Sequence, residues 1–562
     1  MHVSTGWQAV VSALKVEKIK RLYGLPSSTQ DLYDALYDEP TIQVVQVRHQ
    51  AAGGFMAMAE ALATGRPTVC FAGAGPGVTH LVAPMLEALA TCAPVIALSP
   101  YVDGRKDGKG AFQETDQLGI MKPVTKWSVR VSHPDKIPWI MHRAFSIATN
   151  GKPGPVFIEI PVDVGRVEAE IPAYTPAVQY IRTQGDPAQI QGALKLLQEA
   201  RKPLIVAGGG ARRSGAHDEI LALAELLGAP VMTTPSGRGI IEEDNPLAFG
   251  QVGLYRTRLG IETTGATDLL ITIGSRNEEF QSGSWRHLPA GARLIQIDID
   301  PFELSRNWVP DVPILGDAKL VVSSLVDMLK EKVRDEVPSH YEERLRENTQ
   351  RKRAFEKEVA KECSVETGPL LSKQVVHAIN TVFGKSTIMV HENGSQDLWS
   401  YYSPYYAVLE RDGDIAPGEQ TCMGAGVMGS VAVKLARPEK NVVCVAGDGA
   451  FQMYNQDVPT AVQHKAPVTW IILNNRKLGW PQRGQTALGD RYIATDFEVQ
   501  PDFLQMAEAY GCYGERVVAP TEIHGSLQRA LEANNAGKPA IVECIIDSDE
   551  VGDGFIAYES EK

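Results

Sequence analysis

The sequence predicts an α/β protein built from three doubly wound parallel-sheet domains. Short β-branched apolar runs recur along the chain, and amphipathic stretches of helix length separate them. At 562 residues the chain is long enough for three or four domains of ordinary size. Continuous apolar strands joined by helical crossovers need both sheet faces covered, which is the arrangement of parallel sheets.

In the first third, 43–47, 68–72 and 95–98 read as strands, with helices at 51–64 and 79–91 between them. Lys152-Pro153-Gly154-Pro155 introduces one last strand at 156–160, and 171–186 then has the composition of a linker. The middle third repeats the scheme with strands at 203–207, 230–233, 268–273 and 293–297. A charge-dense stretch, 330–362, has few large apolar residues and reads as a solvated connecting helix. The last third carries strands at 388–391, 441–446, 468–473 and 540–546. The expected domains are therefore 1–170, 186–330 and 366–562. The first segment, broken by Lys15, Lys18 and Lys20, reads as an amphipathic helix and not as a signal peptide.

Composition narrows the function. With 44% hydrophobic and 22% charged residues the chain is globular, which excludes a disordered or fibrous protein. A net charge of −13 argues against nucleic acid or an anionic membrane surface as the main partner. No apolar run reaches the about 18 residues that span a bilayer. The seven cysteines are scattered and contain no CxxC pair, so they read as thiols in a reducing cytoplasm, not as a disulfide framework or a zinc site. An anionic ligand would have to be neutralised locally, by a metal or a helix terminus.

The most informative segment is 442–475. A buried strand ends in Gly447-Asp448-Gly449, a helix follows from about Ala450, and the next strand ends in Asn474-Asn475. This layout puts Asp448 and Asn475 at the carboxyl ends of two parallel strands, where such sheets bind ligands. The glycines admit close backbone approach, and the helix start presents N–H groups to an anion. Asp448 and Asn475 offer the hard oxygens that Mg²⁺ takes while bridging phosphates. A lone GDG marks many ordinary turns; GDG followed by 24 residues and then NN, both ending strands, is far more specific.

These residues resemble the thiamine-diphosphate-dependent enzymes of the acetolactate synthase type, a group that includes 2-oxo-acid decarboxylases, benzaldehyde lyase, glyoxylate carboligase and cyclohexanedione hydrolase. The resemblance covers nearly the whole chain. It implies pyrimidine-binding, central and diphosphate-binding domains, with Mg²⁺ held by the side chains of Asp448 and Asn475 and the carbonyl of Lys477. It implies cofactor contacts from Gly447, Gly449, Ala450, Gly479 and the segment Thr421–Gly426, in which Met423 props the cofactor into its bent shape; by itself Met423 passes for a core methionine. Gly73-Ala74-Gly75-Pro76-Gly77-Val78-Thr79-His80 is similar to the loop lining the substrate cavity, with His80 where the family usually has Asn. A lone histidine is more often structural, whereas Gln113, in an AFQE segment, matches the glutamine facing the reacting carbon. Leu478 and Trp480 match the pocket-shaping segment, though Trp480 fits plain packing equally well. Pro26-Ser27-Ser28-Thr29 stands where benzaldehyde-lyase-like members carry histidines, which weakens an aromatic acyloin lyase reading and leaves Ser28 as a pocket residue.

Family members read His-Glu where this chain reads His49-Gln50. That glutamate shares a proton with the aminopyrimidine and so promotes removal of the C2 proton. Gln50 donates a hydrogen bond but transfers no proton, so one acid–base contribution, typically about 10²–10⁴-fold, is weakened. Three origins compete: a natural variant, as in glyoxylate carboligases, which also lack the glutamate; an introduced Glu→Gln change; and a non-catalytic member that only binds cofactor. Glu60, ten residues on and deep in the predicted helix, is no obvious substitute.

In the central domain Gly208-Gly209-Gly210-Ala211-Arg212-Arg213-Ser214-Gly215 lacks the GxGxxG spacing and acidic clamp of a dinucleotide fingerprint. Gly274-Ser275-Arg276 and 296–301 resemble flavin-contacting segments, so FAD or another nucleotide is a candidate there, while turn geometry alone also explains them. His391-Glu392-Asn393-Gly394-Ser395-Gln396-Asp397 ends a strand beside the diphosphate site, either as a backbone contact to cofactor or as an Asx-turn loop. The implied activity is carbon–carbon ligation, cleavage or decarboxylation of a 2-oxo acid, acyloin or related carbonyl compound. The implied assembly is a homodimer or homotetramer, each site lying between Gln50 and Gln113 of one chain and Asp448, Asn475 and Met423 of the other. Two other classes stay open: a degenerate or regulatory cofactor-binding subunit, and a nucleotide-dependent oxidoreductase working from the central domain.

Overall fold

The computed structural model describes residues 2–27, 30–332, 339–547 and 550–561. It contains three six-stranded sheets, parallel throughout, with helices between the strands. The first sheet runs, edge to edge, Gln43–Gln46, Arg21–Gly24, Thr68–Phe71, Val95–Tyr101, Val156–Pro161, Trp127–Arg130. The third runs Asp414–Ile415, Thr387–His391, Asn441–Gly447, Thr469–Asn474, Ala540–Ile545, Tyr513–Val517. Numbered along the chain, both have the order 2-1-3-4-6-5. The central sheet runs Ala248–Gln251, Val231–Thr233, Pro203–Ala207, Leu269–Ile273, Arg293–Asp298, Val312–Leu315, the order 3-2-1-4-5-6 of dinucleotide-binding folds. Each sheet therefore has a point where the winding reverses, and the crevice outside the strand carboxyl ends at that point is where ligands bind.

The chain divides into two compact units. One comprises Met1–Ile181, Pro417–Glu439 and Met453–Pro467; the other comprises Arg182–Ala416, Lys440–Gln452 and Val468–Lys562 and so holds the central and third sheets. In the second unit one apolar core runs from Leu204, Val206 and Leu270 of the central sheet through Tyr402 and Tyr406 to Val443, Val445 and Ile471 of the third.

The structure adds to the expected elements and corrects some of them. A strand, His2–Thr5, precedes the N-terminal helix Gly6–Val16 and pairs antiparallel with Glu168–Ile171, a strand beyond the one expected to end the first domain. The helix expected over 79–91 is two helices, Pro76–Thr79 and Val82–Ala90. The restart puts Pro84 in a first turn, where its missing N–H costs nothing. The strands that sequence reading missed, such as Trp127–Arg130, Tyr513–Val517 and Asp414–Ile415, are mostly short edge strands without a continuous apolar run. The charged stretch does form a helix, Ser339–Cys363, but not a wholly solvated one. Lys352 is buried and donates to the carbonyls of Glu243 and Asn245, Asn348 donates to that of Gly228 at 3.1 Å, and Phe355 and Val359 enter the core. Residues 333–338 of that stretch lie outside the described residues. All seven cysteines are thiols, and among the described residues no helix is long and apolar enough to cross a membrane.

The helix Gln50–Thr64 is buried on almost every side, which its Ala- and Gly-rich sequence permits. Helix glycine costs about 0.5–1 kcal/mol relative to alanine, but it lets neighbours approach closely. A Cβ on Gly54 would sit 2.7 Å from Pro84 Cβ, and one on Gly429, in the helix Ala425–Ala436, 2.8 Å from Ala59 Cβ. Glu60 is the one acid inside; Arg21 meets it through two bonds of 3.0 Å and the Tyr23 hydroxyl donates to it. Its carboxylate is thus committed to an ion pair, as a buried charge must be. Gly429→Leu is expected to destabilise the first unit by about 1–3 kcal/mol through overpacking. Denaturant unfolding followed by near-ultraviolet dichroism checks this, and an unchanged midpoint would refute the close-packing account.

Candidate functional site

Two clusters gather the residues singled out in the sequence, one in each unit. In the second unit, Asp448 follows the strand Asn441–Gly447 at the reversal point of the third sheet and opens the helix Asp448–Tyr454. Only 1% of its surface is exposed. Burial pushes its carboxyl up to about 6, although the Gln500 amide and the backbone N–H groups of Gly449 and Asn475 all donate to it. A carboxylate so placed gains most from a cation, because a cation offsets the lost hydration directly. Among the described residues no three His, Cys, Asp or Glu side chains form a metal-holding group. A divalent ion here would therefore rest on one carboxylate with amide and carbonyl oxygens, a donor set that suits Mg²⁺ shared with phosphates.

The neighbouring strand Thr469–Asn474 ends in a turn held by both asparagines. Asn474 Oδ1 accepts from Arg476 N at 3.0 Å and Asn475 Oδ1 from Lys477 N at 3.1 Å. Their roles then part: Asn474 Nδ2 donates to buried Glu543 at 2.7 Å, while Asn475 turns to Asp448 and to the Gly479 backbone. Gly479 touches Ser395 so closely that a Cβ there would lie 2.0 Å from Ser395 Oγ. A Cβ on Gly449 would meet Leu478 at 3.1 Å, and one on Gly447 would meet nothing within 4 Å, so backbone lies bare at the strand end. Ala450 is buried in the first turn of the helix. Trp480 is 37% exposed and packs edge-on against Phe555 (5.0 Å) and Phe280 (6.3 Å).

The first unit brings together Gln50, His80, Gln113 and the loop before Ala425. His49 caps the helix Gln50–Thr64 by accepting from Ala51 N at 3.2 Å, which sets Gln50 at its first position. His80 Nδ1 lies 3.0 Å from Gln50 Oε1. Gly75 and Gln113 face one another, both left-handed (φ 63° and 64°), and a Cβ on Gly75 would lie 2.9 Å from the Gln113 carbonyl. Only glycine tolerates that approach at that φ without cost. The loop carrying Thr421 and Met423 is pinned by buried Glu87, which accepts from Gly418 N at 2.5 Å and Cys422 N at 2.7 Å. Met423 thus shares a compact unit with Gln50 of its own chain. Ser28 lies outside the described residues.

The segment after His391 is flanked by two buried polar side chains. His391 is fully buried between Asp414 (2.6 Å) and Ser400 (2.8 Å). Asp397 is fully buried too, and burial beside Glu392 pushes its carboxyl up to about 8. In the central domain the glycine run meets the reversal point of its own sheet, where a Cβ on Gly208 would lie 2.2 Å from the Gly274 carbonyl. Gly210 N donates to that carbonyl at 3.0 Å, and Arg212 is tied to Asp412 at 2.8 Å. Glycine backbone packs tightly there, and beside it Ser275, Asn277, His287 and Trp308 line a small cavity.

Sequence reasoning missed Gln500, Glu87 and Asp457, which accepts from Arg48 N at 2.7 Å. Each acts on a partner dozens to hundreds of residues away, and nothing local in the sequence marks that partner.

Compared with known proteins, the chain matches three family models in succession. These are the N-terminal TPP binding domain of thiamine pyrophosphate enzymes over residues 4–120, the central domain over 190–325, and the C-terminal TPP binding domain over 394–544. It is 33% identical over 556 residues to a probable acetolactate synthase large subunit of Methanococcus aeolicus, covering 96% of this chain and 92% of the relative. Identity is 32% with the acetolactate synthase large subunit of Corynebacterium glutamicum (97% and 87% covered). It is 30% with the isozyme 3 large subunit of Escherichia coli K12 (98% and 96%).

Asp397 generates a pH prediction. Its folded-state value of about 8 lies above the ordinary 3.8, so the folded chain holds a proton that the unfolded chain releases. Stability is therefore lost as pH rises from about 4 to about 8. Groups that share its surroundings are Glu392, Tyr401 and Cys444. Asp397→Asn is expected to flatten the decline of unfolding temperature between those limits; parallel curves for variant and wild type would refute the assignment.

Proposed function

The chain belongs to the thiamine pyrophosphate enzymes of the acetolactate synthase type, and from that premise we propose that it is a Mg²⁺-dependent carboligase or lyase acting on a 2-oxo acid, acyloin or related carbonyl compound. The observation that carries this reading is the pairing of buried Asp448 with Asn475 at the carboxyl ends of adjacent parallel strands, beside the bare backbone of Gly447, Gly449 and Gly479. Asp448, Asn475 and the Lys477 carbonyl would hold Mg²⁺, and the backbone from Gly447 to Ala450 would receive the diphosphate. We assign the first-unit cluster to the pyrimidine end and the substrate: Gln50 as a donor to the ring, Thr421 and Met423 beneath it, and Gln113 and His80 toward the reacting carbonyl. Ser28, and Leu478 and Trp480 of the second unit, are assigned to the substrate pocket. When bound, thiamine diphosphate supplies carbanion chemistry at its thiazolium carbon. The chain's task is to orient that carbon, exclude water and hold protons at named atoms.

Gln50 supports a second reading, a member whose catalysis is weak or absent, because a carboxamide holds the pyrimidine nitrogen without exchanging a proton with it. In the central domain Gly208 and Gly210 pack on Gly274, and Ser275 and Asn277 beside them line a cavity, so FAD or another nucleotide stays a candidate ligand there; a visible absorbance spectrum of the purified protein tests for flavin. We further propose a cytoplasmic homodimer or homotetramer with domains at 1–170, 186–330 and 366–562.

The chain reconstituted with thiamine diphosphate and Mg²⁺ is expected to convert at least one member of a panel of 2-oxo acids, acyloins and diketones, with products identified by mass spectrometry. Asp448→Ala, or chelation of the metal, is expected to abolish cofactor retention. Gln50→Glu is expected to speed exchange of the cofactor C2 proton by about 10²–10⁴-fold. Equal exchange rates would show that position 50 is not limiting, and no product even from Gln50→Glu would favour the non-catalytic reading.

A further inference from the structure

The bond between Gln50 and His80 has a direction. A carboxamide oxygen only accepts, so the 3.0 Å contact to Gln50 Oε1 requires a proton on His80 Nδ1. That bond fixes the turn of the carboxamide: Oε1 is held toward His80, and the amino group Nε2 takes the other side, 3.7 Å from where a Cβ on Gly77 would stand. His80 is itself held from two sides. Its backbone closes the helix Pro76–Thr79 by donating to Pro76 O at 3.3 Å, and its ring stacks on His49 with centroids 4.4 Å apart and planes at 28°. The His49 ring meets Tyr454 edge-on at 5.8 Å, and Tyr454 also meets Phe55 at 5.6 Å. Gly424, left-handed at φ 91°, lies so close beneath the Tyr454 ring that a Cβ would fall 1.9 Å from it. An unbroken row, Gln50–His80–His49–Tyr454–Gly424, thus joins the carboxamide to the loop that carries Thr421 and Met423.

We propose that His80 is a positioning residue that locks Gln50 with its amino group presented, so that position 50 works as a fixed hydrogen-bond donor to the cofactor's pyrimidine nitrogen where relatives use a proton-sharing carboxylate. The inference rests on the cofactor reading above and deepens it. The site selects the ring nitrogen as an acceptor, and the histidine in the glycine loop exists to keep the amide from turning over.

The test uses the full chain and two readouts. Ring-nitrogen NMR shifts of His80 in the cofactor-free protein report the tautomer directly: Nδ1–H is expected, and Nε2–H overturns the proposal. Calorimetric binding of thiamine diphosphate with Mg²⁺ then separates positioning from packing. His80→Phe keeps the ring stack and loses the donor, and is expected to weaken binding about three- to tenfold. His80→Gln keeps a donor and loses the stack, and is expected to bind within about twofold of wild type. In a Gln50→Ala background His80→Phe should change affinity by less than about twofold, since the partner is gone. Binding by His80→Phe equal to wild type, or an equal loss in both backgrounds, overturns the inference alone. A wild-type chain that binds no thiamine diphosphate overturns the cofactor reading and this inference with it.

Discussion

A carboxylate taken almost wholly out of water either finds donors or gives up its charge, and the geometry around Asp448 follows from that constraint. The parallel order of the third sheet sets Asp448 and Asn475 on adjacent strand ends. The Asx turn at Asn474–Arg476 then directs the Asn475 backbone toward Asp448, and Gln500 arrives from a separate loop. With three donors and burial still raising its affinity for a proton, Asp448 is the point at which a divalent cation has most to contribute. A net charge of −13 makes such local neutralisation necessary for any phosphate-bearing ligand.

The first unit solves a different problem, placing neutral groups without strong electrostatics. Its central helix is built from small residues, so neighbouring elements come within contact of its backbone. Glu87 ties down the loop before Ala425 through two backbone N–H groups, and Asp457 holds the backbone of Arg48. These are buried carboxylates spent on loop geometry. Gln50, by contrast, has a histidine for its partner, and the stack behind that histidine is aromatic and neutral: burial and the nearby His80 push the His49 ring down from its usual value.

Much of this was legible along the chain because local chemistry dictates it. Gly447-Asp448-Gly449 and Asn474-Asn475 announce strand ends, and strand ends in parallel sheets announce ligand sites. Gly75 and Gly479 lie where a neighbour leaves no room for a side chain, as their glycine identity suggests. Gln500 could not be read, because nothing in a loop residue states which carboxylate it will meet 52 positions back. Trp480 was ambiguous for the opposite reason, since a large aromatic beside a motif looks the same whether it lines a pocket or packs on Phe555 and Phe280. The charged helix Ser339–Cys363 misled because Lys352 and Arg344 find buried carbonyls that composition does not reveal.

The sequence by itself determined the fold class, the family and the substitution of Gln50 for a glutamate, because strand periodicity, motif spacing and residue identity are properties of the chain alone. Tertiary structure alone decided what those residues do to one another. It set Asp448 in a site dry enough to raise its carboxyl to about 6, packed Gly208 and Gly210 against Gly274, and joined Gln50 to His80, thirty residues away. The physical reason is that burial, hydrogen-bond direction and close approach depend on which distant segments share a volume, and one-dimensional spacing carries no measure of that.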